Sequence, residues 1–192
     1  GVEEQTRKLF AACRVRGIPV ITFINKYDLP ARGPLDLMAE VEEALGIQAA
    51  ARNWPLGSGA DFRGVVDRDR GEIELYRKTA AAGAARPEVE RVPLAEAAAH
   101  PRIGPVCAAG LADELELLDE AGNAYSHQAF LDGAVSPVYF GSAFTNFGVE
   151  PLFDALIAIA PSPGARRATA GDGSAVSVAP DGPRRSEHDD GT

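Results

Sequence analysis

The sequence has few of the residues that usually carry chemistry in a small protein. Its 192 residues include two cysteines and three histidines. Cys13 and Cys107 are too few for a disulfide framework, and we expect both to be reduced, in the core or near the surface. His100, His127 and His188 have no metal-ligand spacing to one another or to the cysteines. We therefore expect no metal site in the chain.

Long apolar runs and clusters of basic residues are also missing. No run approaches the length that crosses a membrane, and the first residues lack the positive and then apolar pattern of an export signal. The formal net charge is -9, which weighs against direct DNA binding because phosphate contacts need clustered Lys and Arg. We expect a cytoplasmic protein that makes no membrane contact.

A phosphate-binding loop is the third absence. The pattern Gly-x-x-x-x-Gly-Lys-Ser/Thr, whose backbone amides and lysine hold phosphates, does not occur, and the glycine-rich segment 57–64 has no lysine after it. Catalysis of phosphoryl transfer depends on positioning those phosphates and neutralising their charge. We therefore assign no catalytic residue and expect no nucleotide hydrolysis from this polypeptide alone.

The most informative segment that is present is Asn25-Lys26-Tyr27-Asp28, directly after the apolar run 18–24. The run predicts a buried strand, and ligands of open α/β sheets bind at the carboxyl ends of such strands. The Asp28 carboxylate can accept two parallel hydrogen bonds from the N1–H and the exocyclic amine of guanine. Three fixed residues arise by chance in a chain of this length with odds of roughly one in forty. A polar turn after a strand is the alternative.

A second segment, Pro137 to Ala143, ends another apolar strand in small residues, which let a backbone approach a flat base closely. In a guanine site the amide of Ala143 would donate to the base O6. Asn25 would brace the two loops against each other, and the stem of Lys26 would cover the base and sugar. A core strand closed by an ordinary Gly-Ser turn is the alternative. The predicted guanine contacts are Asn25, Lys26, Asp28, Ser142 and Ala143.

The periodicity of the chain favours an α/β fold with a parallel sheet. A helix over Val2 to Arg16 precedes the strand at 18–24, and a second helix over Leu35 to Leu45 ends at Gly46. These elements form a first part of the nucleotide domain over 1–48. Its last strand and helix occupy 137–160. The final helix has one apolar stripe that should cover the sheet, formed by Leu152, Leu156 and Ile159.

The two guanine segments lie about 110 residues apart, far more than the crossover of about 12 residues that a minimal βαβ unit needs. An inserted α+β subdomain is therefore predicted over 49–136, with Trp54 as an anchor of its core. The tail 161–192 has almost no large apolar residue and should be disordered. The predicted elements of the insertion are strands at Phe62 to Asp67 and Gly71 to Tyr76, an alanine-rich segment Thr79 to Ala85, a polar segment Pro87 to Pro93 and a helical segment Leu111 to Leu118.

Six stretches between Gly1 and about Ala160 carry a family resemblance. They are 1–9, 18–28, Trp54-Pro55-Leu56-Gly57-Ser58-Gly59 with 62–65, 122–124, 140–143 and Asn146-Phe147-Gly148-Val149-Glu150-Pro151-Leu152. In this order they resemble the family of peptide chain release factor 3, the translational GTPases of bacterial termination, which are related to elongation factor G.

The resemblance implies the C-terminal half of a P-loop GTPase domain that binds GTP or GDP, with Mg²⁺ held only through parts outside this chain. It also implies that the phosphate loop and both switch segments precede Gly1, so that the chain is a fragment. In the intact factor, GTP would drive the release of codon-reading release factors from the ribosome. The insertion would contact a protein partner, or would be an elaboration without one.

Another class of function stays open, namely a truncated binding module or remnant that has lost nucleotide binding and contacts a ribosomal or factor partner. Elongation factor G is a third alternative, which segments 54–59 and 146–151 fit less well.

Overall fold

The computed structural model describes residues 2–77, 87–161, 166–169 and 174–178. It divides into two compact units, Gly1–Ile159 and Ala160–Thr192. The helices are α1 Glu4–Val15, α2 Pro34–Leu45, α3 Gly104–Ala121, α4 His127–Leu131 and α5 Val149–Ile159, with 3₁₀ turns at Gly59–Asp61 and Leu94–Ala99. The strands are β1 Thr22–Ile24, β2 Gln48–Ala51, β3 Asn53–Leu56, β4 Gly64–Asp67, β5 Glu72–Arg77, β6 Glu88–Pro93, β7 Val135–Phe140, β8 Arg166–Thr169 and β9 Ala175–Val178.

The first sheet is parallel, with the order β1-β7-β2. Its central strand, β7, is buried along its whole length. The strand predicted at 18–24 is shorter than expected, since only Thr22–Ile24 pair, and it is half-buried rather than buried. The reason is its place in the sheet: among the described strands β1 pairs with β7 alone, so its other edge has no neighbour.

Helix α2 follows its sequence signals closely. Pro34 stands in the first turn, where its missing N–H costs nothing. The helix ends at Gly46, which has φ of 63° and donates its N–H to the Glu42 carbonyl, as in an αL cap. Met38, Val41 and Leu45 are buried. The predicted helix and its end at Gly46 are thereby confirmed.

The second sheet is antiparallel, with the order β3-β4-β5-β6, and forms the predicted insertion together with α3. Strands β4 and β5 correspond to the two predicted at 62–67 and 71–76. The segment predicted only as polar is strand β6, and α3 extends well beyond the predicted 111–118. The alanine-rich segment 79–85 lies outside the described residues.

The boundaries of the insertion differ from the expected 49–136. Residues 48–51 pair with β7 as β2, and 135–136 belong to β7 itself, so both lie in the parallel sheet. The chain leaves that sheet between Ala51 and Asn53, where β3 begins. The two sheets nevertheless share one core, in which Phe140 from β7 packs edge-on against Trp54 from β3.

Helix α5 spans the predicted residues but does not bury the predicted stripe. Pro151 in its first turn is buried, whereas Leu156 is 44% exposed and Ile157 is 82% exposed. The expected cover over the sheet is therefore corrected in part: of the predicted stripe, Leu152 and Ile159 are half-buried and Leu156 is exposed.

In the second unit, β8 and β9 form an antiparallel pair between 166–169 and 175–178. The sequence predicts disorder over 161–192. Of that segment the structure describes only residues 161, 166–169 and 174–178, and the remaining ones lie outside the described residues. Across the described residues, no helix is both long and apolar enough to cross a membrane.

Candidate guanine-binding site

The two predicted guanine segments meet at one edge of the parallel sheet. Strands β1 and β7 are parallel neighbours, with Ile24 opposite Phe140. The segments that follow them, from Asn25 and from Gly141, therefore leave the sheet side by side. This is the carboxyl edge, where ligands of open α/β sheets bind.

Backbone hydrogen bonds continue between the two segments after the strands end. Gly141 donates its N–H to the Ile24 carbonyl at 3.1 Å, and Tyr27 donates its N–H to the Gly141 carbonyl at 3.0 Å. Each loop thus begins with its position fixed relative to the other.

Asn25 connects the loops through its side chain. Its Oδ1 accepts the N–H of Lys26 at 2.8 Å and the N–H of Ala143 at 2.9 Å, 118 residues away. This contact joins the two loops, and the role of Asn25 in a guanine site stays a prediction. The donor role of Ala143 toward a base stays a prediction: its amide is bonded to Asn25 here, so a base would receive it if that bond were shared or the carboxamide turned.

Lys26 adopts φ of 64°, a left-handed conformation that a non-glycine residue seldom takes. Its carbonyl accepts the N–H of Leu29 at 3.0 Å, which closes the turn. Asn25, Lys26 and Ala143 are exposed, and Asp28 is half-exposed. These four residues are therefore accessible to a ligand.

Ser142 is fully buried, so its side chain is not presented to solvent. Its backbone exchanges two hydrogen bonds with Phe147, at 2.8 and 3.0 Å, and its Oγ accepts the N–H of Thr145 at 3.4 Å. A Cβ on the preceding Gly141 would lie 2.3 Å from the Phe147 carbonyl oxygen. Ser142 and Gly141 thus shape the loop, while Ala143 forms its accessible surface.

Tyr27, the variable position of the first segment, was missed by the sequence analysis. Its ring is 2% exposed and packs edge-on against Phe62 and Phe140, with ring centroids 5.7 and 5.4 Å away. Its hydroxyl donates to the Arg32 carbonyl at 3.3 Å. Burial, and to a lesser degree the Glu114 carboxylate, raises the pKa of Tyr27 to about 12. An aromatic residue between polar neighbours was the available signal, since a large aromatic ring usually buries most of its surface.

Asn53 was also missed, and the sequence offered no signal for it beyond its place before Trp54. Its carboxamide is 1% exposed and pairs with the backbone of Phe140. Asn53 Nδ2 donates to the Phe140 carbonyl at 3.0 Å, and the Phe140 N–H donates to Asn53 Oδ1 at 2.7 Å. The pair fixes the last residue of β7, directly before the Gly141 loop.

The insertion touches the other loop as well. The N–H of Gly59 donates to the Tyr27 carbonyl at 3.0 Å. Gly59 has φ of 60°, and a Cβ there would lie 3.3 Å from the nitrogen of Pro30. Both candidate guanine loops therefore contact the insertion, the first through Gly59 and Phe62 and the second through Asn53 at its start. No group of three or more metal-ligating side chains occurs among the residues described by the structure.

Comparisons with known proteins agree with this arrangement. The family model described as the elongation factor Tu GTP binding domain matches residues 1–162. The chain is similar to peptide chain release factor 3 of Synechococcus elongatus, with 43% identity over 95% of this chain and 32% of the relative. It is 41% identical to the protein of the same name from Symbiobacterium thermophilum, over 88% of this chain and 32% of the relative. The chain thus spans about a third of the length of these relatives.

Among solved structures, a crystal structure of a protein from Thermus thermophilus matches 85% of this chain and 25% of its own, with a TM-score of 0.56 and 22% sequence identity. At that identity the likeness concerns the fold alone.

Proposed function

This chain belongs to the family of the elongation factor Tu GTP-binding domain, and from that premise we propose that it contains the guanine-recognition half of a translational GTPase of the release factor 3 type. The observation that carries the proposal is the position of Asn25. Its Oδ1 joins the Lys26 and Ala143 amides, so that the segment containing Asp28 and the segment containing Ala143 form one surface.

Selection of guanine falls to Asp28. A carboxylate accepts two hydrogen bonds in parallel, and guanine offers two adjacent donors, its N1–H and its exocyclic amine. Adenine lacks that pair of donors. Lys26 lies exposed beside the site, where its aliphatic stem can cover the base and the ribose.

The role of the complete protein follows from the similarity to release factor 3 and is part of the proposal. GTP binding would drive a rearrangement on the ribosome that releases codon-reading release factors, in the cytoplasm. The nucleotide would be GTP or GDP, with Mg²⁺ and the phosphates held by parts outside this chain. For this chain alone we expect no turnover of GTP.

The test of base recognition uses amide NMR spectra of the ¹⁵N-labelled chain titrated with GDP, ADP and XDP. GDP should shift the resonances of Lys26, Asp28 and Ala143, and ADP should not. Asp28→Asn should lower the affinity for GDP by about tenfold or more and favour XDP, because an amide can donate to the second oxygen of xanthine while a carboxylate repels it.

Asp113→Asn is the matched control, since it removes an exposed carboxylate from α3 in the insertion. It should leave the response to GDP unchanged. Equal responses to GDP and ADP, or an unchanged base preference in Asp28→Asn, would contradict the proposal. The absence of any nucleotide response would favour the alternative of a binding module that contacts a ribosomal or factor partner.

A further inference from the structure

Phe140, the last residue of β7, pairs on one side with a side chain and not with a neighbouring strand. Strand β2 pairs with β7 only up to Ala51 and Val138, and the Arg52 N–H then bonds to the Val138 carbonyl at 2.9 Å. The chain next turns away into the antiparallel sheet. On this side of β7, the N–H and carbonyl of Phe140 have no strand to pair with.

The side chain of Asn53 occupies the place of the missing strand. A carboxamide presents one donor and one acceptor side by side, as a peptide group does. Asn53 uses both, donating to the Phe140 carbonyl at 3.0 Å and accepting the Phe140 N–H at 2.7 Å. The two residues are 87 positions apart and the contact is buried, so water cannot replace it readily.

The opposite side of β7 leads directly to the candidate guanine loops. The Ile24 carbonyl accepts a hydrogen bond from the Gly141 N–H, and the Gly141 carbonyl accepts one from the Tyr27 N–H. Phe140 therefore has Asn53 on one side, and the first residue of the Gly141 loop follows it along the chain. A shift of Phe140 would move Gly141 and, with it, the backbone at Tyr27.

We propose that Asn53 is a positioning residue for the guanine loops: its carboxamide fixes the end of β7, and through Gly141 it fixes both the Ala143 loop and the backbone of the Asn25 segment. The part of the inference that concerns nucleotide rests on the function proposed above. The part that concerns loop geometry does not.

The test replaces Asn53 with Leu, which has the same branching at Cγ and is larger, but has neither donor nor acceptor. Hydrogen exchange followed by NMR, without nucleotide, reports the protection of the Gly141 and Tyr27 amides, neither of which bonds to Asn53. We expect Asn53→Leu to lower their protection by about tenfold or more relative to the Leu94 amide, which bonds to Gly71 in the insertion.

Ser136→Ala is the matched control. Ser136 is also fully buried on β7, and its Oγ donates to the Val20 carbonyl at 2.9 Å and bonds to Thr22 Oγ1 at 2.8 Å. It lies at the other end of the strand, four residues before Phe140. The loss of the hydrogen bonds made by Ser136 Oγ should lower the protection of the Gly141 and Tyr27 amides by no more than about threefold relative to the Leu94 amide.

Asn53→Asp gives a second variant in case the leucine substitution prevents folding. A neutral aspartic acid has one donor and one acceptor, as asparagine has, whereas the ionised form cannot donate to the Phe140 carbonyl. Protection at Gly141 and Tyr27 should be low at about pH 8 and recover toward the wild-type value at about pH 5. Asp67, Arg52, Arg68 and Glu114 are charged groups on neighbouring elements and are common to both proteins, so comparison with the wild type at each pH removes their effect.

Equal loss of protection in Asn53→Leu and Ser136→Ala, or no recovery of Asn53→Asp at the lower pH, would overturn the inference. The guanine test is separate: GDP affinity should fall about tenfold in Asn53→Leu and change less than about twofold in Ser136→Ala. If the wild-type chain does not respond to GDP, the proposed function fails, while the exchange comparison still decides the role of Asn53.

Discussion

The first three strands of the antiparallel sheet and the β1 edge of the parallel sheet bury their residues to different extents. In the antiparallel sheet Trp54, Val65, Ile73 and Leu75 are all fully buried. In the parallel sheet β1 is only half-buried, and α1 beside it has no buried residue. The first candidate guanine segment thus extends from the least buried strand of the parallel sheet, and the second extends from its fully buried central strand.

Away from the β1 edge the parallel sheet is buried: Ala49 to Ala51 of β2 are buried, and so is the whole of β7. It lies between β1 and β2, and its last residue contacts the insertion through both Asn53 and Trp54. The fixed position of the candidate guanine loops thus depends on a hydrophobic core in which most of the buried residues come from the insertion. The insertion, which the sequence predicts as a separate subdomain, therefore helps to hold the candidate guanine site in place.

The largest expected effect comes from removing the centre of that shared core. Trp54 is fully buried, packs against Phe140 with ring centroids 5.7 Å apart, and donates its Nε1–H to Glu114 at 2.8 Å. Trp54→Ala should lower the free energy of unfolding by about 3–5 kcal/mol. Urea denaturation followed by circular dichroism measures this loss.

Ile157→Ala is the comparison for Trp54→Ala, because Ile157 on α5 is an apolar residue that is 82% exposed. Its cost should be about 0.5 kcal/mol or less. If the two variants lost similar stability, the contrast between the buried insertion and the exposed helix would not describe the energetics of the protein.

A second, smaller effect concerns two glycines in the two regions. A Cβ at Gly141 would meet the Phe147 carbonyl oxygen at 2.3 Å and the Phe23 ring at 2.9 Å. Gly141→Ala should therefore cost about 1–3 kcal/mol. Gly110 lies inside α3 with nothing within 4 Å of an added Cβ, so Gly110→Ala should stabilise the protein by about 0.5–1 kcal/mol.

Thermal unfolding of both glycine variants checks the prediction, with opposite shifts of the midpoint expected. A midpoint that falls equally in both variants would contradict the prediction, because crowding around Gly141 would then not be the cause of its loss of stability.

Local signals made much of the fold predictable. The apolar period of α2 and its Gly46 cap fixed that helix, and β7 followed from an apolar run. The meeting of Asn25 with Ala143 was also predictable, since the ends of neighbouring parallel strands lie at one edge of a sheet. The likeness in sequence to release factor 3 guided the pairing of those strands.

The rest depended on contacts between distant residues. Asn53 and Phe140 are 87 positions apart, and nothing near Asn53 indicates that its carboxamide would complete a strand. The exposure of apolar side chains on α5 was equally unpredictable from the sequence. An apolar stripe indicates a face that can be buried, but it does not indicate which element covers that face. The occupied amide of Ala143 follows from the direction of one side chain, which sequence patterns do not specify.

The smallest expected effect tests Tyr27, where the two regions meet. The pKa of Tyr27 is raised to about 12 in the folded chain, first by burial and then by Glu114. The folded state holds this proton more tightly than the unfolded state, whose tyrosine has a pKa of about 10. Its contribution to stability is therefore complete below about pH 10 and is lost as the pH rises toward 12.

Tyr27→Phe removes that titration together with the hydrogen bond from the hydroxyl to the Arg32 carbonyl, which should cost about 0.5–1.5 kcal/mol at neutral pH. Above about pH 10 the variant should lose stability less steeply than the wild type, because it has no proton to release at this position. Tyr76 and Tyr139, whose pKa values burial also raises, are present in both proteins. Urea denaturation at intervals across this range measures the difference. A difference that stayed constant with pH would mean that Tyr27 reaches solvent, and the aromatic contact between the Asn25 loop and the insertion would not be the closed one described above.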